Sequence, residues 1–290
     1  MAPLGEIPQL IVNGAMAGTI LAVPAIGLTA IYAVLRFPNF AVASHATIGA
    51  FAGYVANVTF HWPLLPALVV AFFAAGLVGV ASDELVLKRF RPAGYITTAI
   101  ASIALTIALE NVIRFSFGNE LRGYDLPIAR DLRIGGVRVG PQQLQNLAVA
   151  IVVMAGLFAF LAFTRMGKAM RAVADNPMLA GIKGINADVI GRLVSFVGMG
   201  LAGLGGMLIG LDTTIDPLTG FRAILSVFAA AVVGGLGSIP GAVLGALTVG
   251  IGEELCLLFL SPDYRSAVGF VAILLVLTLR PRGLLGQASA

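Results

Sequence analysis

The chain has 290 residues, of which 59% are hydrophobic and 11% charged, with 36 glycines and a formal net charge of +4. A soluble domain carries roughly a quarter of its residues as charges, so this composition excludes a soluble globular protein. Long continuous apolar stretches exclude a β-barrel, whose strands alternate every second residue. What remains is an all-α, polytopic transmembrane bundle, with its positive excess in basic loops and not in a nucleic-acid surface.

The first eight residues carry only Glu6 as a charge, and the first basic residue is Arg36. No positively charged leader precedes the first apolar segment, which is therefore expected to stay in the chain. At about 20 apolar residues per crossing, spans are predicted near 9–35, 40–60, 64–85, 94–117, 143–164, 190–211, 222–237, 240–260 and 265–280. The seventh and ninth are short, as tilted or re-entrant pieces are. In the first two, Gly14/Gly18 and Gly49/Gly53 stand at the spacing that lets helices approach closely. Ser44, His45 and Thr47 decorate the start of the second span and are candidates for a translocation path, with buried, hydrogen-bonded packing as the alternative.

Lys88, Arg89 and Arg91 close the third span. In the fourth, "IALENVIRF" carries Glu110 and Asn111 well inside an apolar stretch. An ionisable residue there is costly unless it faces protein or a water-filled cavity, which makes both residues path candidates. Arg114, at i+4 from Glu110, offers a structural pairing instead. The 118–142 loop mixes Arg122, Arg130, Arg133 and Arg138 with Glu120, Asp125 and Asp131. Beyond the fifth span, Arg165, Lys168, Arg171 and Lys183 form a second basic cluster, and Arg280 and Arg282 a third. Basic clusters mark the cytoplasmic side, so nine crossings put the N-terminus and the 118–142 loop outside and the C-terminus inside.

Within the second cluster, "RAVADNPMLAGIKGIN" reads as a short water-facing helix. Asn176 supplies an N-cap acceptor, Pro177 a pre-set first turn, Lys183 a cation in the last turn, and Gly184 a residue able to close the helix. Two turns are marginal alone in water, so the rest of the chain or a partner must hold them.

Toward the C-terminus, Gly206/Gly210 and then Gly237, Gly241 and Gly245 in "GSIPGAVLG" repeat the four-residue spacing of helix packing. Glu253 and Glu254 are neighbours and cannot face one cavity together; one is expected near the outer interface. Cys256, the single cysteine, excludes an intrachain disulfide. The only Gly-Lys pair, Gly167-Lys168, is followed by Ala169, so no P-loop is present. His45 and His61 are the only histidines, and neither a His-Glu-x-x-His nor a Gly-x-Ser-x-Gly motif occurs. No enzymatic activity is predicted. Transport is the expected class, and its rival is a stand-alone secondary transporter or channel with an ion site built on residues such as Glu110.

"RAVADNPMLAGIKGIN", "DPLTGF" and "FAAAVVGGLGSIPGAVLGALTVGIGEE" resemble the LivH-type inner-membrane permease of branched-chain amino acid ABC importers. "GLTAIYAVLRFPNFA" and "YITTAIASIALTIALENVIRFSFG" extend the resemblance over nearly the whole chain. It implies one permease domain over 1–290, with about 8–9 membrane segments, some short or broken, in a bacterial inner membrane. It implies a coupling helix in the cytoplasmic loop at about 165–190, carried by Asn176, Pro177, Met178, Leu179, Ala180, Lys183 and Gly184. Its implied partners are a second, LivM-like permease, two cytoplasmic ATP-binding subunits, a periplasmic binding protein and the bilayer. ATP and Mg would sit in the ATP-binding subunits, leaving this chain without a cofactor. The pattern departs in two places. Family members commonly read Asn-Phe-Ala-His-Gly-Glu where this chain has Asn39-Phe40-Ala41-Val42-Ala43-Ser44. They also commonly have a lysine where Ser226 stands, with Arg222 one turn earlier as its candidate substitute. The expected solutes are branched-chain or related amino acids, with urea, short amides and aromatic or other organic acids as alternatives.

Overall fold

A helix that is apolar on every side needs neighbours on every side, and the first span sets the centre of the bundle accordingly. In the computed structural model, which describes residues 7–126, 131–134, 137–261, 264–280 and 282–286, α1 runs Ile7–Leu35 and is buried at every position from Ile20 to Ile31. Glu6 and Arg130 lie outside the described residues. Helix α2 (Val42–Tyr54) continues through a π-type turn at Val55–Thr59. Helix α3 (Leu64–Ser82) is prolonged by a second such turn at Asp83–Leu87. Helix α4 (Tyr95–Phe117) precedes a loop holding a small antiparallel hairpin, β1 (Leu132–Ile134) and β2 (Val137–Val139). Then follow α5 (Pro141–Phe163), α6 (Arg165–Asp175), α7 (Pro177–Ile182), α8 (Ala187–Asp212), α9 (Thr219–Gly234), α10 (Ile239–Cys256) and α11 (Arg265–Leu279).

Every predicted apolar span is thus helical, and the all-α polytopic class holds apart from the hairpin. Among the described residues, six segments are long and apolar enough to cross a bilayer: Ile7–Leu35, Leu64–Ala93, Tyr95–Phe117, Pro141–Phe163, Ala187–Asp212 and Ile239–Cys256. Helices α2, α9 and α11 are shorter. The predicted second span begins too early, because residues 36–41 are not helical: Arg36 has φ 60°, and the chain turns back there into the bundle.

Successive apolar helices run between two ends of the molecule. At one end Gln9 donates to the Arg138 carbonyl at 2.8 Å, Asn57 accepts from the Asp125 N–H at 2.9 Å, and Arg122 and Ile215 form a two-way backbone bridge. Tyr124 seals this end, donating to the Ala50 carbonyl at 2.8 Å, and burial pushes its phenol pKa upward. At the other end Arg36 donates to the Ala174 carbonyl, and Lys88 and Arg192 both pair with Glu84, at 3.3 and 2.7 Å.

Close approach at glycines holds the centre together. Gly14 and Gly18 of α1 lie against Gly250 and Ala246 of α10. Where α2 crosses α8, Gly49 meets the Gly203 backbone and Gly206 meets the Ala46 backbone, leaving no room for a Cβ. Gly241 and Gly245 pack against Gly234 and Ala230. Gly237 does not belong to that stripe. It lies in the turn before α10 at φ 95°, a conformation glycine adopts without a Cβ clash.

Candidate functional site

The second basic cluster folds as two helices. Helix α6 shows in the sequence only as a basic stretch; its buried Gly167, Met170 and Val173 recur every third residue and dock it onto the bundle, while Arg165, Lys168 and Arg171 stay exposed. Its Thr164 N-cap accepts from the Gly167 N–H at 2.9 Å. Helix α7 begins where Asn176 Oδ1 accepts from the Met178 and Leu179 N–H groups, both at 3.0 Å. It ends in a Schellman-type closure: Gly184 has φ 82°, and the Ile185 N–H donates to the Ala180 carbonyl at 3.0 Å. Ala180 is 4% exposed and packs inside this chain, whereas Met178, Leu179 and Ile182 are 78%, 60% and 76% exposed. The outward surface of the helix is therefore an apolar triad framed by cations. Sequence reasoning missed Ile182, although its i+4 relation to Met178 marks the same face.

Helices α2 and α9 both start inside the bundle. The non-helical run before α2 carries backbone groups that lipid cannot satisfy. Asn39 Oδ1 accepts from the Ala41 N–H at 3.0 Å, the Phe40 N–H donates to Ser102 Oγ at 3.0 Å, and Thr106 Oγ1 donates to the Phe40 carbonyl at 3.1 Å. Ser102 and Thr106 lie about 10 and 16 Å along α4 from Tyr95 at 1.5 Å per residue, so Phe40 enters well within the helical layer. Thr98, Ser102 and Thr106, all buried at a spacing of four, were the sequence signal for this contact. Before α9, Asp216 Oδ1 accepts from the Leu218 N–H at 3.1 Å and the Thr219 hydroxyl at 3.1 Å. Asp three residues ahead of Thr, with Pro between, was legible as a turn into a helix. The Gly220 N–H then donates to Thr47 Oγ1 at 3.0 Å, joining the starts of the two short helices. The rings of Phe40 and Phe228 lie 5.4 Å apart across the same junction.

The predicted path residues on α2 are enclosed. Ser44 donates to the Ala41 carbonyl at 3.0 Å, His45 Nδ1 lies 2.7 Å from the same oxygen, and His45 Nε2 lies 3.5 Å from Ser82 Oγ. Ser44 thus closes the turn into α2, while His45 and Thr47 reach across to Ser82 and Gly220. In this geometry they line no open path, because each is at most 2% exposed.

Glu110 Oε1 accepts from Arg114 Nη2 at 2.6 Å, one turn along α4, and Asn111 faces outward with its amide on the Ile107 carbonyl at 2.8 Å. Glu253 and Glu254 are each 7% exposed and point to different partners. Ser226 Oγ donates to Glu253 at 2.5 Å, and Arg265 pairs with Glu254. Arg222 does not stand in for a lysine at position 226: its guanidinium is turned to Asp216.

Residues 10–277 match the family model described as branched-chain amino acid transport system / permease component. The chain is 31% identical to the high-affinity branched-chain amino acid transport system permease protein BraD of Pseudomonas aeruginosa, over 96% of this chain and 95% of that one. It is 30% identical to LivH of Salmonella typhimurium, covering 96% and 95% of the two chains. It is also 30% identical to a probable LivH of Methanocaldococcus jannaschii, covering 98% and 93%.

Proposed function

The chain belongs to the branched-chain amino acid permease family, and from that premise we propose that it is a membrane subunit of an ATP-driven importer in a bacterial inner membrane. Solute moves from periplasm to cytoplasm between this subunit and a second, LivM-like permease, delivered by a periplasmic binding protein. Two ATP-binding subunits dock on the α6–α7 end and hold ATP and Mg; this chain does no chemistry on the solute. The observation that carries the reading is the exposed apolar triad on a doubly capped helix at the basic end, a shape suited to a cleft in another protein. Branched-chain amino acids are the first solutes to test, with urea, short amides and organic acids next, since Ser226 and the 39–44 run depart from the family pattern. In proteoliposomes containing all partners, leucine uptake should require ATP, stop with vanadate and vanish when the ATP-binding subunits are omitted. Uptake that persists without them would establish the rival, a secondary transporter or channel.

The chain is proposed to pass the bilayer nine times, with α2, α9 and α11 as short or broken passes, a reading supported by contacts that set the ends of successive helices at opposite ends of the molecule. With Cys256 replaced, cysteines at Lys168 and Arg282 should react only with reagent added from the cytoplasmic side, and one at Asp125 only from outside. External reaction at position 168 would reverse the orientation.

We place Glu110 and Asn111 beside the solute path, Glu110 one turn beyond Thr106 on the side of α4 that flanks α2 and Asn111 on the outward face, toward the second permease. If the carboxylate served only to neutralise Arg114, changing Glu110 to Gln and Arg114 to Leu together would restore uptake lost in either single variant, since only the single changes leave a lone buried charge. The expected result is a double variant that stays impaired and shifts solute preference. Full activity with unchanged preference would remove Glu110 from the path.

A further inference from the structure

Between α1, α5, α6 and the turn entering α10 lies a groove of about 480 Å3 that the transport reading does not use. Its body is hydrocarbon: Ala33 and Val34 of α1 form one side, and Phe158, Leu161 and Ala162 of α5 the other. Its polar groups collect at the end nearest α6, where Arg171, Asp175 and Ser238 line it. The Ser238 hydroxyl is committed to the Gly241 N–H at 3.2 Å. Arg171 forms no ion pair among the described residues. A second guanidinium, that of Arg36, is fixed on the carbonyl of Ala174, itself part of the wall. Two guanidinium groups, Arg171 lining the groove and Arg36 held beside it at Ala174, thus stand against the single carboxylate of Asp175 at that end.

An apolar slot between bilayer-crossing helices, with net positive charge at one end, matches an amphiphile with an anionic head. A soluble anion would have no use for the hydrocarbon walls. We propose that this groove binds one anionic phospholipid from the cytoplasmic leaflet, an acyl chain lying against Ala33 and Phe158 and the phosphate at Arg171. The lipid ties α6, and through it α7, to the membrane body of the subunit. The proposal rests on the reading that the α6–α7 end faces the cytoplasm, but not on the solute or on what docks at α7.

Native mass spectrometry of the intact transporter, exchanged from an equal mixture of phosphatidylglycerol and phosphatidylcholine, tests it. Wild type should retain one phosphatidylglycerol per copy of this chain and lose phosphatidylcholine. Arg171→Gln should lower the retained fraction about fivefold, the factor one basic residue contributes near an anionic surface. Ala33→Phe or Ala162→Phe, which fill the slot, should lower it to the phosphatidylcholine level, while Lys168→Gln, on the same helix outside the groove, should leave it unchanged. Size-exclusion profiles show whether each variant still assembles, and Arg171→Gln carries the test if the filled variants do not. Equal retention of the two lipids by wild type, or retention unchanged in Arg171→Gln, would overturn the proposal. So would displacement of the lipid by inorganic phosphate, which would make the site an anion pocket. The orientation reading fails separately, in the labelling of position 168.

Discussion

Replacing Met178, Leu179 and Ile182 together with Ser should abolish uptake while leaving the permease inserted at normal levels. These side chains are the exposed apolar surface of α7, and the capping that forms the helix lies elsewhere, in Asn176 and Gly184. Apolar anchors at the centre of an interface cost 2 kcal/mol or more each when truncated, so affinity for the ATP-binding subunits should fall by about a hundredfold or more. Pull-down of those subunits from detergent-solubilised membranes measures it directly. Undiminished pull-down with full uptake would remove α7 from the interface. Ala180→Asp is the wrong probe, although the residue sits in the same helix. Its methyl group is buried within this chain, so a charge there breaks the permease's own packing before any partner is involved.

The second large effect belongs to the crossing of α2 and α8. Gly49→Val should prevent accumulation of folded protein, because the added Cβ meets the Gly203 backbone and neither helix can yield without moving the bundle. Overpacking of this kind costs about 3 kcal/mol or more, and small-residue contacts supply much of the attraction between helices in lipid. Thermal melting of the purified protein followed by size exclusion reads the loss. Gly156→Val, on α5 where nothing lies within 4 Å of an added Cβ, should melt like wild type. A Gly49→Val protein as stable as that control would show that the crossing is not tightly packed.

Helices were legible in the sequence wherever apolar runs were long, and the two ends of α7 were legible because capping is local chemistry. Three features were not. Phe40 and Ala41 read as the start of the second span, and the hydroxyls of Ser102 and Thr106, about sixty positions away, help make their irregular backbone tolerable. Helix α6 looked like a basic loop because its buried face is just Gly167, Met170 and Val173, too sparse to stand out among cations. Gly237 fits a four-residue spacing that says nothing of whether the chain there is helix or turn; its φ of 95° decides the matter. For the same reason the roles of Ser44, His45 and Thr47 could not be read from their position. Whether a polar group at a span's start faces a path or a neighbouring helix depends on partners distant in sequence.

The central place of α1 has a consequence for biosynthesis. It leaves the ribosome before the other helices described, yet its deepest neighbours, α8 and α10, come roughly 150 to 200 residues later. Roughly 200 residues separate Leu35 from Ile239, and at 5–20 residues per second that is an interval of roughly 10–40 s. For that time α1 must wait in lipid with its final contacts absent. A charged residue anywhere between Ile20 and Ile31 would be exposed to hydrocarbon during the wait, even if the finished bundle could pair it. The absence of charge from this stretch of α1 is therefore a requirement of the nascent chain as well as of the mature bundle, and such substitutions should act by diverting α1 to quality-control proteolysis before α10 is made.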